Sequence, residues 1–466
     1  MSEFSQQHTE YTFYDGTMRD RVDLLNDPID SSLRKFAIPM AFSFLINIIY
    51  TQIDRWYVSR LGDTAIAGIG AADQVAFFLF TVASGFGVGT GIIIARRIGE
   101  GNRKEASRIA AQAVVAMALI GLVITTVMLL LMPELPSFLN LNPEVGPQVI
   151  YYLSGLLLGY TANLLNFQLF AVVRSMGNTI YPMIVLVGTT IVNAVVAPFL
   201  IFGIGPFPEL GMYGAGLATA CAQTLGCVFS IWALIAGKSD MKLDFSGFRL
   251  DLDVIWRIAK QGFPASLQML SVSVNRLFLF GIVAGYGTTV TAAFTLGLNI
   301  DLVIYMIVFA MGMAIEVITG QNLGAGKVER VFAYHRSAVK QLGTLMVALA
   351  ISVWFFGASF VQLFTTNPDT VRIAVAYLHT TVIGYLFFAI GFVTVRVVSG
   401  AGAALTSMAV IGGSLLGIQF PLALLFSHVF AWGPQGVWYA IVTANVCFCI
   451  IALLVLRSRR WLHARV

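Results

Sequence analysis

The run AIAGIGAADQVAFFLFTVASGFGVGTGIIIAR, residues 65–96, decides the fold. It holds one carboxylate, Asp73, and no base before its closing Arg96. A helix crosses the hydrocarbon layer of a bilayer in about 20 apolar residues, so this run is long enough to span, with tilt or projection absorbing the excess. Eleven more runs of this kind lie at 36–60, 107–132, 147–174, 179–203, 212–237, 258–285, 288–320, 333–365, 371–397, 404–428 and 434–457. Across its 466 residues the chain is 58% hydrophobic and 11% charged, with mean hydropathy +0.83. Soluble domains carry about 25% charged residues. These values exclude a soluble enzyme, a disordered chain and a nucleic-acid binder. The formal charge of +5 is scattered between apolar runs. Cys221, Cys227, Cys447 and Cys449 lie in apolar stretches without CxxC spacing, which indicates neither a disulfide framework nor a zinc site.

Basic residues set the orientation. They gather before the first span (Arg34, Lys35), after the second (Arg96, Arg97, Arg103, Lys104, Arg108), in the centre (Lys238 to Arg257), after the eighth (Lys327, Arg330, Arg336) and at the end (Arg457, Arg459, Arg460, Arg465). The opposite loops, 133–146, 204–211, 286–287, 366–370 and 429–433, contain no Lys or Arg. Both termini are therefore expected in the cytoplasm, as an even number of spans requires, with the chain in the plasma (inner) membrane. The first ~30 residues are acidic and lack an apolar core with a small-residue cleavage site, so they read as a retained tail.

A repeat at an offset of 225 residues organises the chain. Gly62, Gly87, Gly99, Gly101, Gly159, Gly177, Gly188 and Gly211 fall on Gly287, Gly312, Gly324, Gly326, Gly384, Gly402, Gly413 and Gly436, where chance gives about two such pairs. Pro39 falls on Pro264, and Asn142-Pro143-Glu144 on Asn367-Pro368-Asp369. The expected architecture is all-α: twelve transmembrane helices in two six-helix bundles, related by a pseudo-two-fold axis along the membrane normal. The divisions are a cytoplasmic tail (1–32), a first lobe (33–237), a cytoplasmic linker (238–257), a second lobe (258–458) and a basic tail (459–466). Pro39, Pro264 and Pro198 are candidate helix hinges.

The segments GTGIIIARRIGEGNRKEA (89–106), GMAIEVITGQNLGAGKVERV (312–331), IDRWYVSRLGDTAIAGIG (53–70), VVRSMGNTIYPM (172–183) and VVSGAGAALTSM (397–408), in this order and spacing, resemble the multidrug and toxic compound extrusion (MATE) family. The resemblance covers nearly the whole chain. It implies a V-shaped pair of bundles that exports organic, often cationic, compounds, driven by uptake of protons or sodium ions. Tyr50 and Asp54 match a tyrosine and an aspartate on the first helix of the DinF-like branch, and Asn193 matches an asparagine on its fifth. Where that branch often carries a second acid, this chain has Ala197.

The buried acids point the same way on physical grounds. An Asp or Arg at mid-helix costs ~2.5–3.5 kcal/mol and by default faces a partner, water or the bundle interior. At 1.5 Å per residue, Asp54, Asp73 and Asn193 lie about 12, 14 and 15 Å from the outer ends of their spans, a shared depth in the first lobe. Tyr50 is four residues before Asp54 and shares its helix face. The repeat replaces Asp54 with Leu279 and Asp73 with Leu298, so a scaffold need common to both lobes does not explain the acids. Asp54 reads as the group that gains and loses a cation, H⁺ or Na⁺; the competing reading is a structural pair joining helices. Asp301 reads as an attractor of cationic substrate or as a partner of Arg276. Glu316 reads as a second proton site or an inner-gate contact. Gln52, Asn163, Asn166, Asn275 and Asn299 are candidates to line a cavity or to bond helix to helix.

No HExxH or GxxxxGKS run occurs, so the expected cofactor set is empty apart from the coupling ion. The expected partners are small organic substrates and the bilayer, with no need for a second chain. The leading expectation is an antiporter rather than an enzyme. A lipid-linked sugar flippase and a membrane-embedded lipid enzyme are the competing readings. The first would favour more cations in the spans, the second a clustered catalytic constellation.

Overall fold

The computed structural model describes residues 22–236, 243, 245 and 248–464, and helices dominate it, with no strand among them. In chain order the helices are α1 (Ile29–Leu61), α2 (Asp63–Gly99), α3 (Arg103–Phe138), α4 (Gly146–Leu157), α5 (Tyr160–Ser175), α6 (Ile180–Phe202), α7 (Gly211–Ile235), α8 (Leu252–Ala284), α9 (Thr288–Gly324), α10 (Val328–Gln362), α11 (Pro368–Gly400), α12 (Ala404–Val429) and α13 (Pro434–Ser458). Eleven are long and apolar enough to span alone; α4 and α5 make a twelfth span bent by 54°. The bend falls at Gly159, where an added Cβ would stand 2.4 Å from the Ala220 Cα of α7. The N-terminal end of α1 and the C-terminal end of α13 lie on one face, termed here the terminal face. Most of the early tail and of the linker, including Lys238 and Lys242, lies outside the described residues.

The repeat is visible in backbone geometry. Both α2 and α9 have 37 residues. Each is preceded by a glycine in the same left-handed conformation, Gly62 at φ +104° and Gly287 at φ +101°, which side chains disfavour. Two bundles result, each with its own apolar core.

The first helix of each lobe packs into both apolar cores. Leu33, Phe36, Ala37 and Met40, at the start of α1, pack in the core of the second lobe. Farther along the same helix, Val58 packs in the first. By symmetry, Val254 and Ile258 of α8 pack in the first lobe and Leu279 and Val283 in the second. An apolar helix carries no sequence mark of which neighbours it packs against. Within the segments expected as tails, Val22 and Leu24 are buried, and so is Trp461 at the other end.

The lobes meet through backbone contact. A Cβ on Gly99 would lie 2.0 Å from the Gln321 carbonyl oxygen, and one on Gly324 would lie 2.2 Å from that of Arg96. These contacts are a symmetric pair, since Arg96 and Gln321 are themselves 225 apart. A second crossing sets Gly85 of α2 against Gly262 of α8, each placing a would-be Cβ 2.3 Å from the other's carbonyl oxygen. Among the described residues, hydrogen bonds between the bundles lie no farther from the terminal face than Val82, whose carbonyl accepts from Ser266 Oγ at 3.1 Å. The lobes are thus joined on the terminal face, and no such bond joins them in the opposite half.

Gly262→Val is expected to force α2 and α8 apart and lower stability by ~1–3 kcal/mol. Gly188→Val, where an added Cβ meets nothing within 4 Å, is expected to stay within ~0.5 kcal/mol of the parent. Thermal unfolding in detergent compares the two, and equal losses would show that the crossing is not tight.

Candidate functional site

Three helices build the site around Asp54. Between Met40 and Tyr50, α1 passes from the second lobe to the first, where the Tyr57 hydroxyl donates to the Ala194 carbonyl of α6 at 3.0 Å. That contact brings Asp54 beside Asn193 and Thr219. The carboxylate is 5% exposed. Thr219 Oγ1 donates to Asp54 Oδ2 at 3.2 Å. The Asn193 amide is oriented with its nitrogen toward the acid, since the reverse sets oxygen against oxygen. In that orientation it donates to Asp54 Oδ1 at 2.9 Å, and its oxygen accepts from the Thr219 N–H at 3.3 Å. No cationic side chain pairs with Asp54 among the described residues. The result is a buried acid whose two oxygens are held by neutral donors.

Asp73 stands apart from this arrangement. It pairs with Arg55 at 3.0 Å, and both side chains are accessible. Asp54 and Arg55 are adjacent and so point about 100° apart around α1. Depth alone set Asp73 with Asp54; direction around the helix separates them. Tyr50 is half-buried one turn before Asp54.

Asp301 anchors a second polar centre, in the second lobe. It is 1% exposed and accepts from the Tyr377 and Tyr385 hydroxyls at 2.5 Å each. Both tyrosines come from α11. Arg276 is exposed and is not its partner. Tyr305 stacks edge-on with Tyr385, at 6.4 Å between centroids. Nearer the terminal face, Glu316 is paired with Arg396 at 3.2 Å and accepts from Ser399 Oγ. Glu316 also lines an inter-lobe cavity of about 30 Å³, with Met40 of α1, Gly91 of α2 and Arg174 of α5.

The remaining cavity candidates divide. Asn166 is buried and donates to the Gln223 carbonyl and side chain at 2.8 and 3.0 Å. Asn275 is buried and donates to Gln419 Oε1 at 3.2 Å. Both therefore make helix-to-helix bonds. Gln52 and Asn299 are exposed, and Asn163 is half-buried. Pro39, Pro198 and Pro264 all lie inside continuous helices. The sequence reading missed Thr219, Tyr377 and Tyr385. Tyr377 and Tyr385 sit eight residues apart on one helix face, a signal hidden because tyrosine counts as apolar in a span.

A two-lobed, many-helix membrane protein whose lobes are joined on one face, with buried carboxylates inside each lobe, has the architecture of a transporter. The MatE family model matches residues 39–199 and 264–425, once in each repeat. The chain belongs to that family. The FAD transporter of Shewanella oneidensis is 26% identical over 92% of this chain and 94% of its own length. The multidrug export protein MepA of Staphylococcus aureus is 25% identical, over 93% and 95%. Among solved structures, a multidrug resistance MATE family transporter of the MOP superfamily in an outward-facing conformation superposes with TM-score 0.88 at 25% identity, covering 96% of this chain and 98% of that one. A MOP superfamily transporter from Pyrococcus furiosus, described as having a binding pocket of reverse polarity, matches with the same score, identity and coverage.

Tyr377→Phe and Tyr385→Phe are each expected to destabilise the second lobe by ~1–3 kcal/mol, because each leaves a buried carboxylate oxygen short of a donor. The midpoint of denaturant unfolding checks this. Unchanged midpoints in both variants would mean that Asp301 is solvated.

Proposed function

We propose that the chain is a secondary active antiporter. It exports small organic compounds, cationic or amphiphilic, in exchange for H⁺ or Na⁺, and Asp54 is the carboxylate that trades its cation for cargo. The observation that carries this reading is the unpaired, buried state of Asp54 in the half where the lobes share no hydrogen bond. A carboxylate held only by neutral donors keeps its negative charge open to a mobile cation. Oxygen donors at Asp54 and Thr219 also suit a hard ion. Asn193 and Thr219 hold the acid, and Tyr50 lies one turn from it on α1.

The charge pattern supports an inner-membrane placement with the terminal face toward the cytoplasm. In that orientation the described state is open outward. Alternating access then requires the glycine crossings on the terminal face to part while the other half closes. The driving force is sufficient. One proton entering down 100 mV and one pH unit supplies about 3.7 kcal/mol, enough for several-hundred-fold accumulation. The proposed unit is a single chain that carries no cofactor.

A second reading concerns cargo. The Shewanella relative is named an FAD transporter, and Arg174 lines the inter-lobe cavity. On this reading the cargo is an anionic dinucleotide and Arg174 is a cation on its path, although Glu316 lines the same cavity.

Purified protein in liposomes, with pH and sodium gradients imposed separately, tests the scheme. Exchange is expected under one gradient, and Asp54→Asn is expected to lower its rate at least ~100-fold while unfolding at the parent temperature. Full exchange by Asp54→Asn would remove Asp54 from the mechanism. Uptake of FAD in place of cationic dyes would decide for the second reading.

A further inference from the structure

The segment before α1 is built into the terminal face. Leu24 is 1% exposed and sits in the core of the second lobe. Its carbonyl oxygen accepts from three side chains: Asn322 Nδ2 at 3.3 Å, Arg330 Nε at 3.3 Å and the Tyr334 hydroxyl at 3.1 Å. Lys327 Nζ reaches the Leu25 carbonyl and Asn26 Oδ1, each at 3.0 Å. Arg330 also donates to the Asp27 carbonyl. The segment holds its own shape, since Asp23 Oδ1 accepts from the N–H groups of Leu25 and Asn26 at 2.9 and 3.1 Å.

Its other end touches the first lobe. The Val22 N–H donates to the Gly177 carbonyl at 3.5 Å, in the turn between α5 and α6. Two residues before Gly177, the Ser175 carbonyl accepts an inter-lobe bond from Gln321 Nε2 at 2.7 Å. The segment therefore lies across the seam where the lobes close, bonded many times to the second lobe and, among the described residues, by the 3.5 Å backbone bond of Val22 to the first. Ordering this much chain costs conformational entropy, and the donors that offset it, Asn322 and Tyr334, are themselves buried.

We propose that Val22–Asp27 is a latch that favours the state closed on the terminal face. It rides with the second lobe, and its hold on Gly177 breaks when the lobes part there. Leu24 is the seated part and Val22 the part that releases. This inference rests on the rocking of the lobes proposed above. Its consequence is an equilibrium set from outside the membrane: anything that lifts the strap raises the population open on the terminal face.

The test reads conformation rather than transport, so a failure of the antiport assay leaves it interpretable. Full-length protein carrying Ser175→Cys is placed in nanodiscs and alkylated with a water-soluble maleimide. Mass spectrometry follows position 175 alongside the buried native Cys227 and Cys449. Deleting residues 2–25, or introducing Leu24→Asp, is expected to speed labelling at 175 about tenfold, the change expected of a latch worth one decade in population. Cys227 and Cys449 are expected to stay as slow as before. An unchanged rate at 175 in both variants would overturn the latch. So would a parallel rise at Cys227 and Cys449, which would make the strap a support of the fold.

Discussion

The constraint beneath the whole structure is that α2 must touch α8 and α9 backbone to backbone. At Gly99, Gly324, Gly85 and Gly262 no room exists for a side chain. Glycine on both sides lets carbonyl oxygens come within van der Waals range of the facing chain, and this close approach replaces the hydrophobic drive that is missing between helices in lipid. Because the contacts of Gly99 and Gly324 are equivalent under the pseudo-two-fold relation, neither lobe dominates that end of the joint. Beside these backbone contacts the joint carries side-chain bonds as well, from Gln321 to the Ser175 carbonyl and from Ser266 to the Val82 carbonyl.

The two polar centres show what gene duplication leaves alone and what it changes. Eight glycine pairs recur at the 225-residue offset, three of them with positive φ in both halves (Gly62/Gly287, Gly101/Gly326, Gly177/Gly402), because both lobes need the same helix ends. The acids do not recur. Asp54 with Asn193 and Thr219 belongs to the first lobe; Asp301 with its tyrosines, and Glu316 with Arg396, belong to the second. Gly91 stands where Glu316 stands in the other half. A shared scaffold thus carries different electrostatics on each side of the cleft.

Much of this was legible in the sequence, for a physical reason. Apolar length and a fixed repeat are one-dimensional signals, and bilayer thickness converts them directly into spans. Depth is also one-dimensional, which is why Asp54 and Asn193 were placed at the same level and do meet. Direction around a helix is not. Asp73 shares that level and turns instead to Arg55. Partner choice is harder still: nothing in the composition of residues 33–40 says that they pack against the other lobe. The bend at Gly159 escaped for the same reason, since it answers to Ala220 on a helix 61 residues away in sequence.

The division of α1 between the lobes has a mechanical corollary. A rod clamped at its two ends in bodies that rotate against each other takes up the rotation in its unclamped length. That length is Leu45–Ile49, in which no residue is fully buried and which begins within two turns of Pro39, where a backbone donor is missing. Torsion is therefore focused within a few turns of Asp54. On the proposed mechanism, a change of charge there and a twist of the rod would be two descriptions of one deformation, felt at both ends of α1.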